Sequence, residues 1–507
     1  MITQITRAGN PFPAHGTCRD RNGVIHFDDL PGSLPAMLHG WVQRSPDAEA
    51  VVELDGDRLS YRQLWDRAGR VAGGLRARGV TGGSRVALRY PAGVRWVLGF
   101  WGTLLAGGVA VAVNIRSAQP EVEFVLEDSG MVVDLGPGDP LPDGEPYVAP
   151  VPARDAVAAM FYTSGTTGRP KGVPTTHEAF LTNCENLVRV LGVTSDAGSS
   201  FRTLISVPLF HVTGCNSQLL GAAYAGGAAV IMPEMKPARV AAALPAERIS
   251  FMVTVPAVYA LLLGRSALDG IDVSGVRWVC YGGAPIAASL VRELKAAFAA
   301  AELVNGFGMT ETSSLVAALP HRDVEEYADS VGYAVPGADL AVDLPDGGSD
   351  TGELLARGAG VLHEYWNRPD ATAAAFVDGW LRTGDIVRVD DAGRIYVVDR
   401  AKDIIIRGGE NVSSVEVESA LESVPGVTEA AVIGVPDDVM GEKVGAVVVV
   451  EGEPDVAAII EHCGRQIAGF KVPQYLTVWE GPLPRNPGGK LLKAQLREQV
   501  TWGEPLR

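Results

Sequence analysis

Apolar segments alternate with amphipathic segments along the first part of the chain. Short apolar-centred runs at Arg85–Tyr90 and Val109–Val113 predict strands, and helical spacing predicts a helix over Tyr61–Arg78 that begins after the N-cap residue Ser60. The alternation resumes after residue 155, with a further strand predicted at Thr203–Pro208. Alternation of this kind predicts an α/β fold with largely parallel sheets.

The texture of the chain changes near residue 330. Short alternating segments such as Ala338–Leu344 and Gly352–Arg357 are separated by turns, which predicts a small β-rich subdomain. Beyond residue 403, a helix predicted at Val415–Leu421 and strands predicted at Glu429–Val435 and Val444–Val450 indicate a compact α/β unit of its own.

Length and charge narrow the class of protein. A chain of 507 residues is too long for one core, so two or more domains are expected. Its 47% hydrophobic and 20% charged residues are ordinary for a folded soluble protein. A net charge of −17 argues against binding to nucleic acid or to an anionic membrane, although local cations still allow anionic substrates.

The cysteines and the longest uncharged stretches bear on the compartment. The five cysteines are far apart and predict buried free thiols in a reducing cytoplasm rather than a disulfide framework: Cys18, Cys184, Cys215, Cys280 and Cys463. Trp96–Val113 and Thr203–Pro233 are long enough to cross a bilayer, but glycines interrupt both, so we read them as buried helix-and-strand pairs. Met1–Pro13 lacks an apolar run of signal-peptide length. A cytoplasmic protein without a membrane span is expected.

The most informative stretch runs from Phe161 to Gly172. It holds four Ser or Thr hydroxyls, three glycines, Arg169 and Lys171, and it follows an apolar predicted strand. Glycines allow backbone N–H groups to approach a ligand, hydroxyls add donors and a lysine adds a point charge suited to phosphate. Such clusters also occur in ordinary turns. The chain lacks the G-x-x-x-x-G-K-[ST] motif of common NTPases, so a different polyphosphate-binding loop is indicated.

The order of residues in this stretch resembles the phosphate loop of the adenylate-forming superfamily, which includes acyl-CoA synthetases, luciferases and peptide-synthetase adenylation domains. A second signature of that family appears as Asn305-Gly306-Phe307-Gly308-Met309-Thr310-Glu311, with Phe307 where Tyr is more usual. The resemblance runs from roughly residue 30 to residue 500 and is greatest to the acyl-CoA synthetases.

The resemblance implies an overall architecture. A large N-terminal domain of two α/β subdomains plus a small β-rich subdomain would be followed by a small, mobile α/β domain. The implied boundaries are residues 1–398 for the N-terminal adenylation core, 399–402 for a hinge and 403–507 for the mobile domain.

The nucleotide site can be assigned residue by residue. Thr310 suits a phosphate oxygen, Glu311 suits Mg²⁺ and Asp385 suits the ribose hydroxyls, with Arg400 beside the ribose or phosphates. The resemblance places Gly283, Ala284 and Pro285 against adenine and the acyl group. The remaining candidates for binding ATP come from the phosphate loop and the second signature: Thr163, Ser164, Gly165, Thr166, Thr167, Gly168, Lys171, Asn305, Gly306 and Phe307.

Further residues acquire roles only through the resemblance. His211, in Pro208-Leu209-Phe210-His211, would border the acyl pocket and the phosphate site, and its presence disfavours an amino-acid substrate. Lys402 would be the hinge, and Gly408 and Gly409 would line a thiol tunnel. Lys490 would be the catalytic lysine that reaches both the carboxylate and the α-phosphate.

The expected reaction has two steps. A carboxylate attacks the α-phosphorus of ATP, giving an acyl adenylate and pyrophosphate, and a thiol then displaces AMP. We expect Mg²⁺ and coenzyme A to take part, with an aryl or medium-chain acid as substrate, because the pocket stretches 209–218, 281–285 and 305–309 contain no Lys or Arg. A separate carrier protein, an amine or another nucleophile remains an alternative acceptor. The sequence leaves the oligomeric state open.

Two hypotheses from other classes stay open at this point. One is a regulatory protein with an inactive adenylation fold, against which the retained Lys171, Glu311, Asp385 and Lys490 argue. The other is an oxidative, luciferase-like enzyme on the same scaffold, which no residue specifically demands. Pyrophosphate exchange tests the first hypothesis, and oxygen consumption or light emission tests the second.

Overall fold

A large mixed sheet and a smaller sheet organise most of the chain, and a separate sheet forms after residue 404. The structure is a computed structural model. It describes residues 1–117, 119–163, 169–194, 197–264, 267–284, 286–345, 351–401, 403–407, 410–437, 440–453, 455–485 and 491–506.

The first part of the chain supplies the smaller sheet and the edge of the large one. Its strands are β1 (Ile2–Gln4), β2 (Thr17–Arg19), β3 (Ile25–Phe27), β4 (Glu49–Glu53), β5 (Arg58–Ser60), β6 (Arg85–Leu88), β7 (Val109–Ala112), β8 (Val133–Leu135), β9 (Val157–Thr163) and β10 (Lys171–Thr176). Its helices are α1 (Leu34–Arg44), α2 (Tyr61–Ala77), α3 (Val94–Leu105) and α4 (Gln119–Ser129). The smaller sheet has the order β10-β9-β7-β6-β8 and is parallel except for β10.

Helix α2 begins where the sequence predicts. The Ser60 side chain accepts from the Gln63 N–H at 3.3 Å, and the Gln63 side chain accepts from the Ser60 N–H at 2.9 Å. This reciprocal capping box satisfies two N–H groups that the first helical turn leaves unpaired. Gly79, with φ of +87°, follows the last turn in the left-handed conformation that glycine adopts at little cost.

The middle of the chain builds the parallel part of the large sheet. Its helices are α5 (His177–Val190), α6 (Gly221–Ala225), α7 (Pro237–Ala246), α8 (Pro256–Gly264) and α9 (Ala288–Ala297). Its strands are β11 (Arg202–Ile205), β12 (Ala228–Ile231), β13 (Phe251–Thr254), β14 (Trp278–Gly282), β15 (Glu302–Met309) and β16 (Ser314–Leu319). Strands β4, β12, β11, β13, β14 and β15 are parallel neighbours in that order, and β16 returns antiparallel to β15.

The β-rich part of the chain is continuous with the large sheet. It comprises β17 (Ser330–Ala334), β18 (Asp339–Asp343), β19 (Thr351–Arg357), α10 (Pro369–Ala375), β20 (Phe376–Val377), β21 (Trp380–Val389) and β22 (Ile395–Arg400). These strands are antiparallel and join the parallel part through β16 and β17. The sequence pattern marks the change of texture but not this continuity, because strand order depends on long-range pairing.

The last part of the chain has its own sheet and core. Its elements are β23 (Ile405–Arg407), β24 (Glu410–Val412), α11 (Ser414–Glu422), β25 (Val427–Asp437), β26 (Gly441–Val450), α12 (Val456–Gln466), β27 (Tyr475–Val478) and α13 (Lys493–Gln499). Val417, Leu421, Val432 and Val444 pack in an apolar cluster formed by residues after 404. Strand β27 pairs parallel to β26, and β25 and β23 pair antiparallel to it.

The structure tests the predictions made for the long apolar stretches and for the cysteines. The stretch Trp96–Val113 forms most of α3 and all of β7, and its large side chains are buried. Among the residues that the structure describes, no helix is both long and apolar enough to cross a membrane. All five cysteines lie outside disulfide bonds, and four are buried as expected, but Cys18 is exposed, so the expectation was wrong for that thiol. Cys18 lies on β2 of a two-stranded sheet, where less chain covers it.

Buried His177 ties α5 to the start of α1. His177 is only 3% exposed, and its Nδ1 accepts a hydrogen bond from the Leu34 N–H at 3.4 Å. Burial lowers the pKa of His177 to about 4, and a charged ring at the first position of a helix would also oppose the helix dipole.

This lowered pKa predicts how stability depends on pH. Because unfolded histidine binds a proton near pH 6.5, His177 stabilises the fold fully above that pH and loses its contribution as the pH falls toward 4. The loss amounts to about 3 kcal/mol. His177→Gln keeps an acceptor for Leu34, so its free energy of unfolding should fall less steeply than that of the wild type between pH 6.5 and 4. Parallel denaturant titrations measure both slopes, and identical slopes would contradict the assignment.

Candidate active site

Several predicted site residues follow parallel strands of the large sheet, at the edge where those strands end. His211 lies in the connection after β11, Gly283 directly follows β14, and Thr310 and Glu311 directly follow β15. Because β11, β13, β14 and β15 are parallel, their carboxyl ends share one edge of the sheet. Open α/β sheets bind ligands at that edge, so the structure supports the grouping that the motifs suggest.

The predicted phosphate loop connects two antiparallel strands. Thr163 at the end of β9 lies opposite Lys171 at the start of β10, so the two ends of the loop meet at the neck of a hairpin. The loop residues Ser164, Gly165, Thr166, Thr167 and Gly168 lie outside the described residues. Strand β10 itself was not predicted from the sequence, because Lys171-Gly172-Val173-Pro174 lacks a plain alternation of apolar and polar residues.

Lys171 and Glu311 approach the same aromatic ring. The Lys171 Nζ lies 4.0 Å from the ring centroid of Tyr365, and the Tyr365 hydroxyl donates to the Glu311 Oε1 at 2.8 Å. Glu311 and Tyr365 are each only 6% exposed. Burial, with the Glu311 charge adding to it, raises the pKa of Tyr365 well above its usual value, so the hydroxyl stays protonated and remains a donor.

The Glu311 carboxylate fits a metal held mainly by phosphate oxygens. Among the residues that the structure describes, no group of three or more His, Cys, Asp or Glu side chains forms a metal cage. Mg²⁺ commonly binds one or two carboxylates and completes its shell with water and substrate phosphates. A single buried carboxylate near the neck of the phosphate hairpin satisfies that requirement, whereas it would not hold Zn²⁺ by itself.

The backbone after Glu311 is held in an uncommon conformation. Ser313 and Ser314 have φ of +54° and +101°, values that side-chain-bearing residues rarely adopt and that cost energy. Asn216 donates to the Ser313 carbonyl, and the Ser217 and Ser314 hydroxyls are 2.8 Å apart. Asn216 and Ser217 lie in a π-helix over Thr213–Leu220. This irregular helix therefore fixes the turn that carries Thr310 and Glu311.

His211 is neutral and incompletely hydrogen-bonded. Burial lowers its pKa to about 4, and the positive charge of Arg116 adds to the effect. The ring packs edge-on against Phe210, with 4.8 Å between centroids, and its buried Nε2 has no partner among the described residues. Arg116, in the connection between β7 and α4, is a nearby cation that the sequence-based view of the pocket missed.

Asp385 and Arg400 are brought together on neighbouring strands. They lie opposite each other on β21 and β22, and the Arg400 Nε is 2.8 Å from the Asp385 Oδ1. Asp385 is only 2% exposed, so protein groups rather than water surround its carboxylate. The Arg400 Nη1 also donates to the Thr383 carbonyl at 3.4 Å. The ion pair gives the Asp385 carboxylate a fixed orientation. The contacts of Asp385 and Arg400 with the ribose stay predictions.

Close backbone packing explains the glycines of β14 and β15. A Cβ on Gly282 would lie 2.1 Å from the Gly306 carbonyl oxygen, and Gly283 has φ of +75°. Asn305 is buried and donates through Nδ2 to the Ser330 carbonyl at 3.0 Å, which joins β15 to the start of β17. Phe307 lies within β15, near its carboxyl end, and Ala284 is the second residue after β14, so both lie at the same edge of the sheet. Pro285 lies outside the described residues.

The structure describes residues on either side of the site residues predicted in the C-terminal region. Lys402, Gly408, Gly409 and Lys490 lie outside the described residues. On either side of residues 486–490, Arg485 and Leu491 form an antiparallel bridge, and the Leu492 N–H donates to the Pro484 carbonyl at 2.9 Å.

An ion-pair cluster fastens the end of this segment to α11. The Lys493 Nζ lies 2.7 Å from the Glu418 Oε1 and also donates to the Ser414 hydroxyl. Ser414 in turn donates through its N–H and hydroxyl to Asp399, near the end of β22. Burial raises the pKa of Glu418 to about 7, against the pull of Lys493. The cluster thus joins the start of α13 to the strand that precedes residue 402.

Sequence reasoning missed Tyr365 and Asp128. Asp128 accepts from the Tyr162 hydroxyl at 2.9 Å and pairs with Arg368 at 2.6 Å, which ties α4 to β9 and to the segment after Tyr365. The adjacent aromatic residues Tyr365 and Trp366, in an otherwise polar stretch, were the available signal for that segment.

Comparison with known proteins gives the family. Residues 38–140 and 134–366 match the AMP-binding enzyme family, and residues 416–490 match the AMP-binding enzyme C-terminal domain. The chain belongs to the AMP-binding enzyme family. The family, fold class and enzyme class expected from the sequence are therefore confirmed.

Relatives of known activity span nearly the whole chain. A long-chain-fatty-acid–CoA ligase, FadD13, of Mycobacterium tuberculosis is 36% identical, over 92% of this chain and 99% of its own length. A feruloyl-CoA synthase of Amycolatopsis is 36% identical, over 90% of this chain and 96% of its own. The solved structure of o-succinylbenzoate CoA synthetase from Bacillus subtilis, in complex with the acyl-adenylate intermediate, aligns with a TM-score of 0.85 at 28% identity, covering 92% of this chain and 99% of that one.

The carboxylate of Asp385 gives a test of the nucleotide site. Asp385→Asn replaces the charged carboxylate, whose oxygens would accept hydrogen bonds from the ribose hydroxyls, by a neutral amide. The Kd for AMP, measured by calorimetry, should therefore rise by about tenfold. Asp390→Asn is the matched control, because Asp390 pairs with Arg394 at 2.7 Å in the turn between the same two strands. Equal effects of both substitutions on AMP binding would contradict a specific role for Asp385.

Proposed function

We propose that this chain activates an aryl or medium-chain carboxylic acid with ATP and transfers the acyl group to coenzyme A. The observation that carries the proposal is the meeting of Lys171 and Glu311 at Tyr365, which sets a cation and a metal-binding carboxylate at the neck of the phosphate hairpin. Relatives named as CoA ligases, of matching length, support the same reaction.

The first step forms the acyl adenylate. The substrate carboxylate is ionised at pH 7 and attacks the α-phosphorus, so the protein supplies no general base. Lys171 and the loop after Thr163 hold the β- and γ-phosphates, Thr310 donates to a phosphate oxygen, and Lys490 stabilises the charge between nucleophile and α-phosphate. Glu311 holds Mg²⁺, which neutralises charge on the phosphate oxygens. Catalysis is then mostly positioning and electrostatic stabilisation.

The second step needs Lys490 to leave. The thiol of coenzyme A attacks the acyl carbonyl, the bond between the carbonyl carbon and the AMP oxygen breaks, and AMP departs. Residues 403–507 rotate about Lys402 relative to residues 1–398, which withdraws Lys490 and brings in the loop of Gly408 and Gly409. The hinge comprises residues 399–402. The separate sheet and apolar cluster after residue 404 support this division.

The acyl pocket is uncharged along its predicted lining. Neutral His211 borders it, and the stretches 209–218, 281–285 and 305–309 carry no Lys or Arg. An aromatic or medium-chain acid fits these stretches better than a dicarboxylate, whose second charge would meet no cation within them and would depend on Arg116 outside them. The relatives named for a long-chain fatty acid and for a feruloyl group support the two broad classes of aliphatic and aromatic acid, but not a chain length. We also propose the cytoplasm as the compartment, supported by five cysteines that lie outside disulfide bonds.

Exchange of labelled pyrophosphate into ATP tests the first step and the substrate together. Aromatic acids and straight-chain acids of medium length should support exchange without coenzyme A, while dicarboxylates of similar size should not. Adding coenzyme A should then release AMP and form a thioester with the same acids. Absence of exchange with every acid in both groups would overturn the proposal.

Lys490→Ala tests the division of labour between the two steps. Adenylation should fall by about a hundredfold or more, because charge on the α-phosphate loses its cation. Thioester formation from preformed acyl adenylate should persist. Lys471→Ala is a control on the same region, since Lys471 pairs with Glu416 at 2.7 Å. Equal loss of both half-reactions in Lys490→Ala would refute separate roles.

A further inference from the structure

Tyr365 contacts both charged residues of the proposed phosphate site through different parts of one side chain. Its ring face lies under the Lys171 Nζ at 4.0 Å from the centroid, and its hydroxyl donates to the Glu311 Oε1 at 2.8 Å. Aromatic faces attract cations and a phenol donates to carboxylates, so one side chain makes a favourable contact with the ammonium and another with the carboxylate.

The position of Tyr365 is fixed by its neighbours in the chain. The Trp366 N–H donates to the Gly172 carbonyl at 2.9 Å, directly beside Lys171, and the Leu362 N–H donates to the Glu311 carbonyl at 2.7 Å. The Tyr365 N–H donates to the Thr372 hydroxyl at 2.9 Å. The segment from 362 to 366 is therefore hydrogen-bonded both to β10, which carries Lys171, and to the turn after β15, which carries Glu311, so the ring has little freedom.

Opposite charges brought together at a largely buried site attract strongly. A direct ion pair would occupy both the ammonium and the carboxylate and would have to break before either could act on a metal–phosphate group. In the described part of the chain, Lys171 instead rests on the ring, and Glu311 accepts a neutral hydroxyl. Neither contact cancels the charge of the residue that it holds.

We propose that Tyr365 is a positioning residue that keeps Lys171 and Glu311 apart and holds each for the metal-bound triphosphate. The proposal rests on the proposed function. It assigns the hydroxyl to the carboxylate and hence to metal binding, and it assigns the ring to the lysine and hence to phosphate binding. The two parts of the side chain can be removed separately.

The test measures nucleotide affinity with and without metal. The Kd of α,β-methylene-ATP, which cannot lose pyrophosphate, is determined by calorimetry in EDTA and again with saturating Mn²⁺ as the probe ion. The ratio of the two constants reports how much the metal adds, independently of turnover. Because reversible partial unfolding of a variant raises both constants by the same factor, it leaves their ratio unchanged and does not imitate the effect.

Tyr365→Phe removes the hydroxyl and keeps the ring. The metal-free Kd should stay at the wild-type value, and the gain from Mn²⁺ should fall by about fivefold. Tyr365→Leu removes the ring as well, so the metal-free Kd should also rise, by about threefold. Tyr224→Phe is the matched control, because Tyr224 is a buried tyrosine whose hydroxyl donates to Glu185 at 2.6 Å away from these residues. Neither constant should change in this control.

The outcomes separate the two claims. An unchanged metal gain in Tyr365→Phe, or equal changes with and without Mn²⁺, overturns the role of Tyr365 while leaving the reaction intact. A wild-type protein whose nucleotide affinity does not respond to Mn²⁺ overturns the assignment of Glu311 in the proposed function, and the role of Tyr365 with it.

Discussion

The proposed chemistry depends on two opposite charges that are held close together without forming a direct pair. Lys171 stands at the neck of a hairpin in the smaller sheet, and Glu311 follows a strand of the large sheet. Tyr365 lies between them and contacts both. The junction of two sheets thus becomes a site in which a cation and a carboxylate both stay available to a ligand that carries negative phosphates and a metal.

Holding that junction has a cost in local conformation. Ser313 and Ser314, which follow Glu311 after one intervening residue, have positive φ angles, and Asn216 and Ser217 in a π-helix hold them there. Strained backbone and irregular helices concentrate at functional sites, where surrounding hydrogen bonds compensate for them. The strain in this chain is therefore consistent with selection for the placement of Thr310 and Glu311 rather than for stability alone.

The sequence predicted the local features well and the long-range ones less well. The N-cap at Ser60 and the alternation of strands and helices were readable, because each depends on neighbouring residues. The continuity of the large sheet through β16 and β17, the short strand β10 and the contact of Tyr365 with Lys171 were not readable. The first and the last of these features join residues that are far apart in the chain, and no local periodicity records such pairings, whereas β10 lacks a plain alternation of apolar and polar residues.

The central claim is that a carboxylate oxygen of the acid attacks the α-phosphorus of ATP at this site. The most direct measurement follows that oxygen: an acid substrate labelled with ¹⁸O in its carboxylate is turned over with ATP and coenzyme A, and the products are analysed by mass spectrometry. The account predicts one ¹⁸O atom in AMP and none in pyrophosphate. Label in pyrophosphate or in inorganic phosphate, or unlabelled AMP alongside thioester, would contradict it.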